Sequence, residues 1–203
     1  MFLYLGLFLL NSYVYNNFRQ VNRSNIHAIY TFVFSLLYLG RVTYVENIYL
    51  DLMFYSILYS AYDINYLLKE KIRGYLSLVL HHSLIIYAVS FSKLYYNSTD
   101  KIIDLMALNY LTELSTPFFN RSFDLAEQNK ENTYEYKVIN TVVVIIFGIS
   151  RVFMIPYLIY KTLDFNNNIL LCQTILSTMN VIWHYKICKY YRKLISGNLK
   201  KIK

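Results

Sequence analysis

A chain of 203 residues that is 56% hydrophobic and 18% aromatic, with only 16% charged residues and a mean hydropathy of +0.31, is too apolar for a water-soluble enzyme of its size and points to a polytopic membrane protein. A net charge of +8 and a pI near 9.3 raise nucleic acid as a partner, but the basic residues are scattered over loop ends and a short tail. No soluble domain presents them, so nucleic acid is excluded and anionic lipid headgroups are the expected counter-charge.

Apolar runs of about 20 residues suffice to cross a hydrocarbon core about 30 Å thick. Five are clear, at residues 48–68, 75–96, 102–119, 138–160 and 169–191, and two weaker ones precede them at 2–15 and 26–39. The first is short and opens without a positive n-region. A cleaved signal peptide is its rival reading, but no small-residue A-x-A pattern follows. The expectation is an all-α, single-domain chain over 1–203 with seven spans, or alternatively six, and a short basic tail at 192–203. The one extended polar stretch, residues 121–137 (RSFDLAEQNKENTYEYK), reads as a loop.

Taken in chain order, the spans carry polar residues at depth. Arg23 and His27 stand at a helix start (NRSNIHAIY), where they are candidates for headgroup contact, a solvated loop end being the alternative. Asp63 interrupts SILYSAYDINYLL, the pair His81-His82 interrupts YLSLVLHHSLIIYAV, Glu113 lies in MALNYLTELSTPFFN, and Arg151 in IIFGISRVFMIPYLIY. An Asp or Arg at a helix centre costs roughly 2.5 to 3.5 kcal/mol on insertion scales if it faces lipid, so these groups face inward and are functional-site candidates by default. Glu113 with Arg151 is also readable as a structural ion pair, and Asp63 as part of a local polar network. Pro117 and Pro156 deprive the carbonyls of Glu113 and Val152 of their helical partners. That places a hydrated pocket between the fifth and sixth spans. Cys172 and Cys188 share the last span, about 24 Å apart at 1.5 Å per residue, beyond disulfide reach, and read as packing residues.

If the basic tail is cytoplasmic, seven alternating spans put 15 of the 20 Lys and Arg on the inside, 4 on the outside and Arg151 within a span. The sequon Asn97-Ser98-Thr99 then lies outside, where N-glycosylation can occur, whereas those at Asn22 and Asn120 lie inside. A sugar on Asn22 would reverse the orientation.

Read in order, Arg23 and His27, Asp63 in AYDI, His81-His82, the segment from Glu113 to Asn120 (ELSTPFFN), Arg151 before Pro156, and Asn180-Val-Ile-Trp183 with Tyr185-Lys186 resemble a TLC domain, the family named for the TRAM, Lag1 and CLN8 proteins. The resemblance covers residues 19–192. It implies a helical bundle around a lipid-accessible central cavity and work on membrane lipid, sphingolipids among them, in the endoplasmic reticulum or another internal membrane. The many Tyr, Ile, Asn and Lys fit an AT-rich genome, such as that of a large DNA virus or a protist, and a viral source would make the site a host membrane.

Ceramide synthases of this family carry H-D-x-x-D-x-x-L-E after their His pair. Aligned on Glu113, the two Asp positions fall on Met106 and Asn109, no His precedes them, and Asp104 is out of register. The chain is therefore more similar to the small TLC domain-containing proteins. By the enzyme reading, the resemblance implies acyl transfer from acyl-CoA to a sphingoid base or similar amine or alcohol at His81 and His82, with no resident cofactor. Asp63 and Glu113 would be orienting or proton-accepting partners, and Asn109 and Arg151 would support the cavity. A neutral imidazole shielded from water is a competent nucleophile or general base, and neighbours on a helix point about 100° apart, so one histidine faces a narrow cavity while the other orients it or packs. The bland alternative is a histidine pair satisfied across helices. No metal is expected, since the chain has four His and no H-x-x-x-H spacing.

Overall fold

The computed structural model describes residues 2–71, 75–95, 100–163, 165 and 167–196, and Asn97 lies outside them. Most of those residues are helical, and there is no strand among them. The order is α1 (Phe2–Asn17), α2 (Gln20–Leu39), α3 (Thr43–Leu52), α4 (Phe54–Glu70), α5 (Tyr75–Tyr95), α6 (Asp100–Leu111), α7 (Thr116–Glu127), α8 (Tyr134–Phe147), α9 (Ile155–Thr162) and α10 (Asn167–Ile195). A 3-10 turn, Thr112–Ser115, joins α6 to α7, and a π-helical turn, Gly148–Phe153, joins α8 to α9.

Local chemistry accounts for the boundaries. The Thr133 hydroxyl accepts the Tyr136 N–H at 3.2 Å and caps α8. Lys71 takes a left-handed backbone (φ 47°), and its N–H reaches the Leu67 carbonyl to close α4. Pro117 and Pro156 fall in the first turns of α7 and α9, where a missing N–H removes no helical bond, so each proline follows an irregular turn instead of kinking a continuous helix.

The seven apolar runs fall on helical elements, but three are interrupted. Run 48–68 breaks at Met53, between α3 and α4; run 102–119 passes through the 3-10 turn; and run 138–160 contains the π turn. By length and composition, Tyr134–Thr162, 29 residues, is able to cross a membrane, and Tyr75–Phe91 is a shorter apolar helix. Among the described residues no other helix passes that test. Breaks shorten α3, α4 and α6, while Gln173, Asn180, His184 and Lys186 dilute α10. Residues 121–137 are not the loop that their polarity predicts. Helix α7 continues to Glu127 because Leu125 is fully buried against Tyr136 and Leu194, and only residues 128–133 connect it to α8.

Helix α1 docks into the bundle. Leu7, Asn11 and Val14 are buried, the Tyr4 hydroxyl donates to Asp51 of α3, and Tyr15 packs on Tyr62 of α4 at 4.6 Å between ring centroids. The main core gathers Tyr38, Val45, Tyr49, Leu52 and Met53 with Ile102, Met106 and Tyr110. Through it runs a seam of buried small polar residues, Thr31 and Ser35 on α2 with Ser56 and Ser60 on α4. Small side chains let helix backbones approach closely, and three of the four hydroxyls bond within the bundle: Thr31 donates to the His27 carbonyl at 2.9 Å, Ser35 meets Tyr49 at 2.7 Å, and Tyr110 donates to Ser56 at 2.8 Å. α5 lies between α4 and α10, with α6 alongside.

Candidate functional site

Two irregular turns face each other and make the first half of the site. In the 3-10 turn the Thr116 N–H bonds the Glu113 carbonyl. The Glu113 carbonyl is therefore not freed as Pro117 predicts, and the carbonyl that the opposite turn uses is that of Thr112. Arg151, buried on the π turn opposite, supplies the donor. Its Nε bonds the Thr112 carbonyl at 3.2 Å and Ser115 Oγ at 2.9 Å, while Nη2 bonds Glu113 Oε1 and Thr116 Oγ1, both at 3.1 Å. Thr116 in turn donates to Glu113 Oε2 at 2.6 Å. Both charges are buried, and each meets its opposite and a set of neutral partners, as a charge in a low-dielectric interior requires. The Arg151 guanidinium also lies over the Phe147 ring at 5.1 Å.

The two histidines divide between neighbours, as adjacent helix positions should. His82 turns toward α4, where its Nε2–H donates to Asp63 Oδ2 at 2.9 Å, and Asp63 Oδ1 accepts from Gln20 Nε2 at 3.3 Å. His82 Nδ1 is buried and has no partner among the described residues. His81 turns toward α10 and lies edge-on to the Trp183 ring at 5.6 Å between centroids. It makes no hydrogen bond among the described residues and borders a cavity of about 90 Å³ between α5, α6 and α10.

The cavity is lined mostly by apolar side chains, Ile85, Val89, Leu105, Met106, Cys172 and Leu176 among them, interspersed with His81, Asn109, Gln173, Asn180 and the Glu113–Arg151 pair. Asn109 Nδ2 donates to Gln173 Oε1 at 3.0 Å and to the Leu105 carbonyl at 2.9 Å, and Gln173 Nε2 reaches Ser177 Oγ at 3.4 Å. The pocket thus differs from the one predicted between the fifth and sixth spans. The space there is filled by the Arg151 network, and the opening lies where α10 meets α5 and α6. Asp63 is buried beyond His82 and does not line it.

Arg23 and His27 are not placed for headgroup contact. His27 is buried at 4% exposure, stacks on Tyr59 at 4.0 Å and 13°, and bonds Ser56 Oγ through Nε2 at 2.9 Å. The polar residues around it (NRSN) belong to the first turn of α2, whereas His27 itself points into the seam toward α4. Arg23 is half-buried. It donates to the Tyr15 carbonyl at 3.0 Å, with its guanidinium over the rings of Tyr15 and Tyr66, so it ties α1 to α2 and α4.

Sequence reasoning missed Gln173 and Ser177 and treated Asn180 only as part of a motif. The signal was present: Gln173, Ser177, Asn180 and His184 recur at helical spacing and form one polar stripe along α10. His184 continues that stripe to α8, where its ring is parallel to Phe147 at 5.9 Å and rests on Gly148. Among the described residues no three His, Cys, Asp or Glu come together as a metal would need. No protein-family model, curated protein or solved structure matches the chain.

Proposed function

We propose that this chain is a multi-pass membrane protein of the TLC type that takes membrane lipid into the cavity between α5, α6 and α10 and thereby binds, senses or moves it, adjusting lipid composition. The observation that carries the reading is the lining of the cavity, mostly apolar side chains of α5, α6 and α10 with His81, Asn109, Gln173 and Asn180 set among them. Such a lining suits an acyl chain that carries a polar group. The outer surface supports it. Ile145, Ile149, Phe153, Tyr157 and Tyr160 along α8 and α9 are 44% to 82% exposed, and Leu5, Phe8, Leu9 and Tyr13 on α1 are similarly bare. A contiguous apolar surface of this kind suits lipid better than water. On this reading the basic tail is cytoplasmic, by the bias of Lys and Arg, and the resemblance to TLC proteins favours the endoplasmic reticulum or another internal membrane, a host membrane if the chain is viral.

A second reading, acyl transfer from acyl-CoA to a sphingoid base or similar acceptor, is favoured by the contact at 2.9 Å between His82 and Asp63 beside a cavity-facing His81. In it His81 takes the proton of the acceptor amine or alcohol as that group attacks the thioester carbonyl. The C–S bond then breaks, and the proton passes to the departing thiolate. His82, held by Asp63, sets the orientation of α5.

Quantitative lipidomics of matched cells separates the two. One culture makes no protein, one the wild type, and one His81→Ala/His82→Ala brought to equal membrane level. A lipid class altered by both proteins supports the binder. A newly acylated amine or alcohol formed by wild type alone supports the enzyme, a shift without new acyl product that is lost in the variant supports a binder that uses His81, and no change with either removes both readings.

A further inference from the structure

The lipid cavity has its charges already matched. The Arg151 Nε and Nη2 groups are directed at Thr112, Ser115, Glu113 and Thr116, and both Glu113 oxygens accept hydrogen bonds. Asn109 and Gln173 bond each other. Two polar groups of the lining remain without hydrogen bonds among the described residues, the His81 imidazole and the Asn180 amide, and Asn180 Oδ1 is fully buried. They lie on facing helices. Asn180 and Trp183 are one turn apart on the same face of α10, and Trp183 touches His81.

An imidazole and a carboxamide each present a donor and an acceptor. Buried polar groups take partners, so the complement they fit both donates and accepts. A hydroxyl or primary amide does so. A carboxylate or phosphate only accepts and would meet Glu113 with no unmatched cation nearby; an alkylammonium only donates and would meet Arg151.

We infer that the cavity selects a long-chain lipid ending in an uncharged hydroxyl or amide, held between Asn180 and His81, over anionic or cationic lipids of equal chain length. This rests on the lipid-cavity reading above and adds the chemistry of the head.

Trp183 is the only tryptophan in the chain and borders His81, so it reports occupancy directly. The full-length protein in unbrominated detergent is titrated with 9,10-dibromostearyl alcohol and with the matching ionised acid and amine, following Trp183 emission. The alcohol should quench saturably with a midpoint about tenfold or more below those of the acid and amine, the effect of one or two hydrogen bonds made by it alone. Asn180→Leu should raise the alcohol midpoint by about tenfold on the same grounds without moving the emission maximum. Acid or amine quenching at the alcohol's midpoint or below it overturns the head-group selectivity while leaving the cavity reading standing. Non-saturating quenching by all three removes the cavity reading and this inference with it. An unchanged midpoint in Asn180→Leu overturns the role of Asn180. Should that variant fail to fold, maleimide labelling of Cys172, which lines the cavity, decides the matter in the Cys188→Ser background. Protection by the alcohol but not by the acid supports the inference, and equal protection overturns it.

Discussion

Removing the Arg151 side chain should be among the most damaging single changes available in this bundle, and most of the damage should be reversible by a second change. Arg151→Met keeps length and apolar bulk but leaves the buried Glu113 carboxylate with only the Thr116 hydroxyl, at 2.6 Å. Breaking a buried pair by removing one partner costs about 3–5 kcal/mol. At roughly 2–4 °C of Tm per kcal/mol for a chain of 150–250 residues, that is a loss of about 6–20 °C. Glu113→Leu alone strands the guanidinium and should cost a similar amount. In the double variant no charge remains. The Thr112 carbonyl still accepts from Ser115 Oγ at 3.2 Å, and Ser115 and Thr116 keep backbone options. Its cost should fall to about 1–2 kcal/mol, the loss of one or two hydrogen bonds. The assay is equilibrium unfolding of the purified chain in one detergent, carried through the full double-mutant cycle. A double variant destabilised by the sum of the two singles would show that the groups act independently and would refute the pairing.

Three further changes probe other contacts. A Cβ at Gly148 would stand 3.1 Å from His184 Cε1, so Gly148→Val should lower stability by about 1–3 kcal/mol through overpacking, and His184→Ala in the same chain should recover part of it in the same unfolding assay. Asp63→Ala leaves the buried His82 Nε2–H without its acceptor and should cost about 1–3 kcal/mol. Histidine nitrogen NMR should show that hydrogen-bonded Nε2 signal lost in the variant, and an unmoved spectrum would contradict the contact. His27→Phe should retain the stack on Tyr59 and lose only the bond to Ser56, about 1 kcal/mol. His27→Ala empties a filled site and should cost several times more; equal, negligible effects would return His27 to the surface.

Much of the fold was legible because lipid-scale apolar runs are long and repetitive. Among the described residues the seven apolar runs fall on helical elements, one of them broken at Met53, and Asp63, Glu113 and Arg151 are buried with partners, as a charge in an apolar stretch requires. The division of His81 from His82 followed from the 100° step of the helix. Turn geometry was not legible. Nothing in LTELSTP distinguishes a 3-10 turn from an α-turn before Pro117, so the sequence predicts a free Glu113 carbonyl where the turn gives it the Thr116 N–H. His27 was misplaced because its neighbours are polar, although its own side chain points elsewhere. The polarity of residues 121–137 predicts a loop, but one buried leucine, Leu125, outweighs it and carries α7 to Glu127. The stripe on α10 is not visible to apolar periodicity because its members, Gln173, Ser177, Asn180 and His184, are polar.

The split histidine pair also has a mechanical side. His82 ties α5 to α4 through Asp63, and His81 rests on Trp183 of α10, so one dipeptide is gripped from two directions. Turning α5 about its axis would pull both side chains off their partners in a single motion. The pair thus sets the rotation of α5 by contacts with two different helices.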